Sequence, residues 1–123
     1  MTSGTIVSKN DTNPFKGYCG QIFRYINRVN VPETNLSCIL VEMAPGEISD
    51  LHHHNKSQEI YFVIEGKGQI RLGDRTIIVN PGDAVHIPTR VKHSIENDGE
   101  ILMQLFVVNS PPYQENDVIF EEN

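Results

Sequence analysis

The stretch His52-His53-His54-Asn55-Lys56-Ser57-Gln58-Glu59, continuing into Ile60-Tyr61-Phe62-Val63-Ile64, decides how this chain is read. Three histidines and a carboxylate fall within eight residues, and β-prone apolar sequence follows at once. In extended backbone, successive side chains point to opposite faces. His52 and His54 then share one face, roughly 7 Å apart along the strand, and His53 takes the other. Glu59 can return to the same point from a neighbouring strand after a short loop. Neutral imidazole and carboxylate oxygen are the donors that first-row divalent ions favour. A chance cluster and an expression tag are the competing readings. The cluster is internal and only three long, which speaks against a tag.

The flanking sequence is strand-like throughout. Short β-prone segments run over Gln21 to Val29, Leu36 to Met43, Glu59 to Ile64, Gln69 to Leu72, Thr76 to Val79, Ala84 to Ile87, Lys92 to Glu96 and Ile101 to Val108. Turn signals separate them: Pro45-Gly46, Glu65-Gly66, Gly73-Asp74-Arg75, Pro81-Gly82-Asp83 and Asn97-Asp98-Gly99-Glu100. No window of ten or more residues carries a helical period. Eight to ten short strands with this punctuation predict an all-β sandwich or barrel. Residues 1–13 are polar and read as a mobile or loosely docked arm. Residues 14–123 read as one domain, with Val118-Ile119-Phe120 apolar enough to dock on it. Pro14 and Gly17 read as a loop.

The chain has 123 residues, enough for one domain with one core. Ten Lys and Arg stand against 16 Asp and Glu, a formal charge of −6. That excludes a general nucleic-acid or anionic-membrane surface. No apolar run reaches a membrane span, and Met1 to Asn13 is no secretory signal. A cytoplasmic setting is expected, with Cys19 and Cys38 as buried or half-buried thiols rather than a disulfide.

The spacing can now be counted. Gly46 is followed by five residues, His52, one residue, His54, four residues, Glu59, six residues and Gly66. A second block runs from Gly82 through Pro88 and His93 to Asn97, after a gap of 15 residues (67–81). These blocks, 46–66 and 82–97, resemble the two motifs of the cupin superfamily, over roughly residues 36–108. The resemblance implies a double-stranded β-helix, a jelly-roll barrel holding one divalent ion. By position it implies His52, His54, Glu59 and His93 as ligands, with Mn or Fe favoured and Ni, Co or Zn open. One position departs from the pattern: Arg90 stands where the second motif usually has Gly, so a turn of positive φ there would strain it.

Other residues carry narrower expectations. Tyr61 shares parity with Glu59 and should point inward, as a proton donor or as core. His86 and Arg90 are candidate catalytic residues if they reach the cavity; packing and solvent are the alternatives. His53 should face away from the ion. Gln104, Arg24 and Tyr25 cannot be assigned a face. Ser110-Pro111-Pro112-Tyr113 resembles the tail of some small cupins described as sugar-phosphate-isomerase-like. Functionally, the resemblance implies a redox-neutral metalloenzyme acting on a small oxygen-rich acid or sugar derivative, by decarboxylation, lyase chemistry or isomerisation. An Fe-dependent dioxygenase and a non-enzymatic sugar or effector binder are the alternatives. A small-molecule ligand in the barrel and a homodimer are expected.

Overall fold

The computed structural model describes residues 3–122; Met1 and Thr2 of the expected arm and Asn123 lie outside them. The strands are β1 (Phe15–Gly17), β2 (Gly20–Ile26), β3 (Ser37–Met43), β4 (His52–His53), β5 (Gln58–Glu65) and β6 (Gly68–Leu72). They continue with β7 (Arg75–Val79), β8 (Ala84–Ile87), β9 (His93–Glu96), β10 (Met103–Ser110) and β11 (Ile119–Phe120). One sheet has the order β1-β2-β3-β10-β5-β8 and the other β11-β4-β9-β6-β7. Every pairing is antiparallel. The helical content of the described residues is two single 3-10 turns, Lys9–Asp11 and Glu115–Asp117. The all-β reading therefore holds.

Alternation builds the core. On β5 the inward residues are Glu59, Tyr61 and Val63, and on β10 they are Met103, Leu105, Val107 and Asn109. Ile70, Ile87 and Ile95 close the other side. The partners of opposite parity, Ile60, Phe62 and Ile64, remain half exposed on the outer face of the six-stranded sheet. Register aligns Phe62, Phe106, Leu40 and Phe23 in one row across that face.

β1 was not expected. The Pro14–Gly17 segment reads locally as a loop, but Phe15 pairs with Ile22 and Gly17 with Gly20 across a tight turn. Within the arm, the Lys9 ammonium pairs with Glu42 at 2.8 Å and sits 4.7 Å from the Phe23 ring centre. β11 pairs with β4, so the Val118–Phe120 segment does dock on the domain.

Asn97 ties the two motif blocks together. Its amide donates to the carbonyls of Met43 and Ile101, and its side-chain oxygen accepts from the Gly99 N–H. Its backbone bonds Gly46 and Glu47. Gly66 sits at φ +78°, where a Cβ would lie 2.9 Å from the Leu102 carbonyl oxygen and the Met103 Cα. Asn97→Ala strands the buried Met43 carbonyl and two partly buried groups and should cost about 2 kcal/mol. Gly66→Ala adds strain to overlap and should cost about 2 kcal/mol or more. Urea unfolding checks both; a loss under about 0.5 kcal/mol for either contradicts its assigned role.

Candidate metal centre

β4 and β9 lie side by side with His52 opposite His93. His54 follows β4 directly, and β5 brings Glu59 in from the facing sheet. All four are buried, and one donor atom from each falls within 4.8 Å of the others. Glu59 Oε1 lies 3.1 Å from His54 Nε2 and 2.8 Å from His93 Nε2. Ligands at about 2.1 Å from a common ion stand about 3 Å apart in an octahedral set. These separations match that.

The backbone aims the rings. Each imidazole places its Nδ1 on a carbonyl: His52 on Asp50 at 2.8 Å, His54 on Asp117 at 2.9 Å and His93 on Val91 at 2.9 Å. A carbonyl can only accept, so each Nδ1 carries the hydrogen and each Nε2 keeps a lone pair. The three Nε2 atoms and Glu59 Oε1 are buried and lack an aligned hydrogen bond. Buried polar atoms are rarely left so. Four converging orphans of ligating type fit a divalent ion.

The electrostatics differ among the donors. Burial, then His93, lowers the His52 pKa to about 4 and keeps that ring neutral. Burial opposes the charge on Glu59, but His54 and His93 outweigh it and hold its pKa at about 2. Burial also disfavours charge on His54, while Glu59 more than compensates and raises its pKa.

The C-terminal segment completes the site. The Asp117 carboxylate is buried and accepts from the N–H groups of Asn55, Lys56 and Ser57, while its carbonyl orients His54. Tyr18 stacks edge-on to His52 at 4.8 Å and Tyr113 to His54 at 6.1 Å. Sequence reading missed Asp117, Tyr18 and Asn109. A buried acid among backbone N–H groups has no local signature; Asn109, in contrast, continues the parity of Leu105 and Val107.

A cavity of about 260 Å³ opens beside Glu59. Tyr61 lines it, its ring 5.8 Å from His93. Arg24 lines it too, stacked 4.4 Å over Phe15 and 3.5 Å from the largely exposed Glu115. Two candidates lie elsewhere. His86 is exposed on the outer face of β8, bonded to Gln58 at 2.8 Å, because its parity is opposite to that of buried Ile87. The Arg90 side chain is exposed and is not part of the cavity wall. Its backbone does serve the site: at φ 68° its N–H donates to the His54 carbonyl at 2.6 Å. His53 turns away to Glu121 and Asn55. Gln104 faces outward and bonds Glu42.

A jelly-roll barrel with a three-histidine, one-glutamate cluster defines a class, and the comparisons name it. Residues 39–109 match the cupin domain model, and the chain belongs to that family. It is 31% identical over 99 residues to the uncharacterized protein MJ1618 of Methanocaldococcus jannaschii, covering 80% of this chain and 79% of that one. It is 29% identical to mannose-1-phosphate guanylyltransferase RfbM of Salmonella typhimurium, over 92% of this chain. There it spans 24% of the relative's length. Among solved structures, Lactobacillus farciminis oxalate decarboxylase in a formate complex superposes with a TM-score of 0.79 at 26% identity, over 90% of this chain and 34% of that one.

Two outcomes test the centre. Asp117→Asn weakens the acceptors that hold the 55–57 loop and should lower affinity for Mn(II) by about 10- to 100-fold, read by chelator competition. His54→Ala should abolish stoichiometric binding; unchanged affinity in both refutes the assignment. Arg90→Gly relieves a left-handed residue and should be neutral to stabilising, by up to about 1 kcal/mol in urea unfolding.

Proposed function

We propose that this chain is a metal-dependent enzyme performing redox-neutral chemistry, decarboxylation or a related lyase step, on a small oxygen-bearing acid. The observation that carries this is the set of four buried, converging donor atoms, one of them on Glu59, which also lines a cavity large enough for a ligand. His52, His54, Glu59 and His93 would hold the ion, with Mn or Fe favoured over Ni, Co or Zn. Three imidazoles and one carboxylate leave positions open, and an ion there supplies a Lewis acid for a carboxylate or carbonyl oxygen.

The chain's own groups favour proton donation over proton abstraction. Tyr18, Tyr61, Tyr113 and Cys19 line the cavity. Burial raises all four, Cys19 to about 12, so each holds its proton at neutral pH. Tyr61 Oη is the donor favoured here, from its place beside Glu59. His86 and Arg90 are assigned no catalytic role, since their side chains lie outside the cavity.

Similarity to an oxalate decarboxylase supports decarboxylation. Similarity to one segment of a guanylyltransferase supports a sugar-type ligand, which the largely apolar walls disfavour. A second copy of this chain is the partner favoured by the apolar outer row of Phe62 and Phe106. Among the described residues no helix is long and apolar enough to cross a membrane. The two free thiols fit a reducing, cytoplasmic setting.

A panel of small carboxylic acids with the Mn(II)-loaded chain, run with and without oxygen, tests the chemistry. Turnover is expected to be equal in both. Turnover that requires oxygen selects a dioxygenase, and saturable binding without product selects a binding module. Light scattering should give about twice the 13.9 kDa chain mass; a monomer refutes the pairing.

A further inference from the structure

The cavity holds one orphaned polar atom beyond the metal centre. Asn109 Nδ2 is buried without a partner, and Asn109 lines the same cavity as Glu59. β10 pairs with β5 so that Asn109 stands opposite Glu59. Side chains opposite one another on paired strands lie about 5 Å apart. An amide donor beside a metal ligand, with nothing to donate to, is placed for an oxygen of whatever the cavity binds.

Two further features bound that ligand. Much of the wall is apolar, with Ile22, Val41, Leu105 and Val107 on the β2, β3 and β10 side. At the mouth Arg24 is the single cation among the described lining residues. The Phe15 ring beneath it fixes its plane, and its carboxylate partner Glu115 is exposed, so the pairing is weak and exchangeable. A planar guanidinium held this way suits a ligand carboxylate.

We propose that the cavity takes an acid of three parts. The first is a head of two adjacent oxygens, as in a 2-oxo or 2-hydroxy acid, one at the His/Glu cluster and one accepting from Asn109 Nδ2. The second is an apolar body along the β2, β3 and β10 wall. The third is a distal carboxylate at Arg24. The head alone rests on the metal reading. Asn109 and Arg24 are the specificity-determining residues, and neither is among the four metal ligands.

Calorimetry on the full chain tests this with three probes: 2-oxooctanedioate, 2-oxooctanoate and oxalate. Each is titrated into Mn(II)-loaded and chelator-stripped protein. The diacid should bind at least about tenfold more tightly than the monoacid, and oxalate should bind weakest. Arg24→Gln should erase the diacid's advantage and leave the monoacid unchanged. Asn109→Leu keeps the volume and should weaken both oxo acids by a similar factor, with metal content and melting temperature held. Equal affinity for diacid and monoacid in the parent chain overturns the proposal, as does Arg24→Gln weakening both alike. Oxalate binding most tightly also overturns it. If the parent chain takes up no metal, the enzyme reading fails. The diacid-to-monoacid ratio in stripped protein still decides the role of Arg24.

Discussion

Three backbone carbonyls govern this structure. Those of Asp50, Val91 and Asp117 each take the Nδ1 hydrogen of a histidine and so turn its Nε2 lone pair inward. Without those bonds, three imidazoles beside a carboxylate would be a loose and partly protonated cluster. With them, tautomer and direction are set before any ion arrives. The carbonyls come from three separate segments between strands, so the centre exists only while both sheets hold their places. That is why Asn97, distant from the chemistry, matters: it binds the start of one motif to the end of the other.

The site divides into a buried floor and a more exposed entrance. Its floor consists of strands β4, β5 and β9 with buried polar side chains. The entrance is built from β1, β2 and the segment after β10, where Arg24 and Glu115 face solvent. Under the proposed reading, the floor would hold the ion and the rim would meet the ligand. Similarity to relatives of different named activities, each sharing this fold over part of its length, fits that separation.

Much of this was legible from parity. Alternation placed His52 and His54 together, put Tyr61 beside Glu59 and turned His53 away. It also set His86 opposite Val85 and Ile87, though not which face was inward. His93 was reachable through the motif resemblance alone, because nothing local joins it to His52, 41 residues earlier. Arg90 was visible as a departure, and its positive φ shows the turn retained while its usual residue is not. Asp117 and Arg24 depend on long-range register, which a single strand's pattern does not contain, whereas Asn109 was within reach of the parity of β10. β1 escaped for a similar reason: proline and glycine mark a local break, and pairing with β2 overrides it.

The Asp117 contact carries one consequence for the life of the molecule. A polypeptide is made from its N-terminus, so His52, His54, Glu59 and His93 all leave the ribosome before Asp117 does. Until it arrives, His54 lacks its orienting acceptor and the 55–57 loop lacks the carboxylate that gathers its amides. A nascent chain halted before that point carries all four donor residues and an unfinished cluster. The donor cluster is thereby completed only after Asp117 emerges, later than any of the four donors it serves.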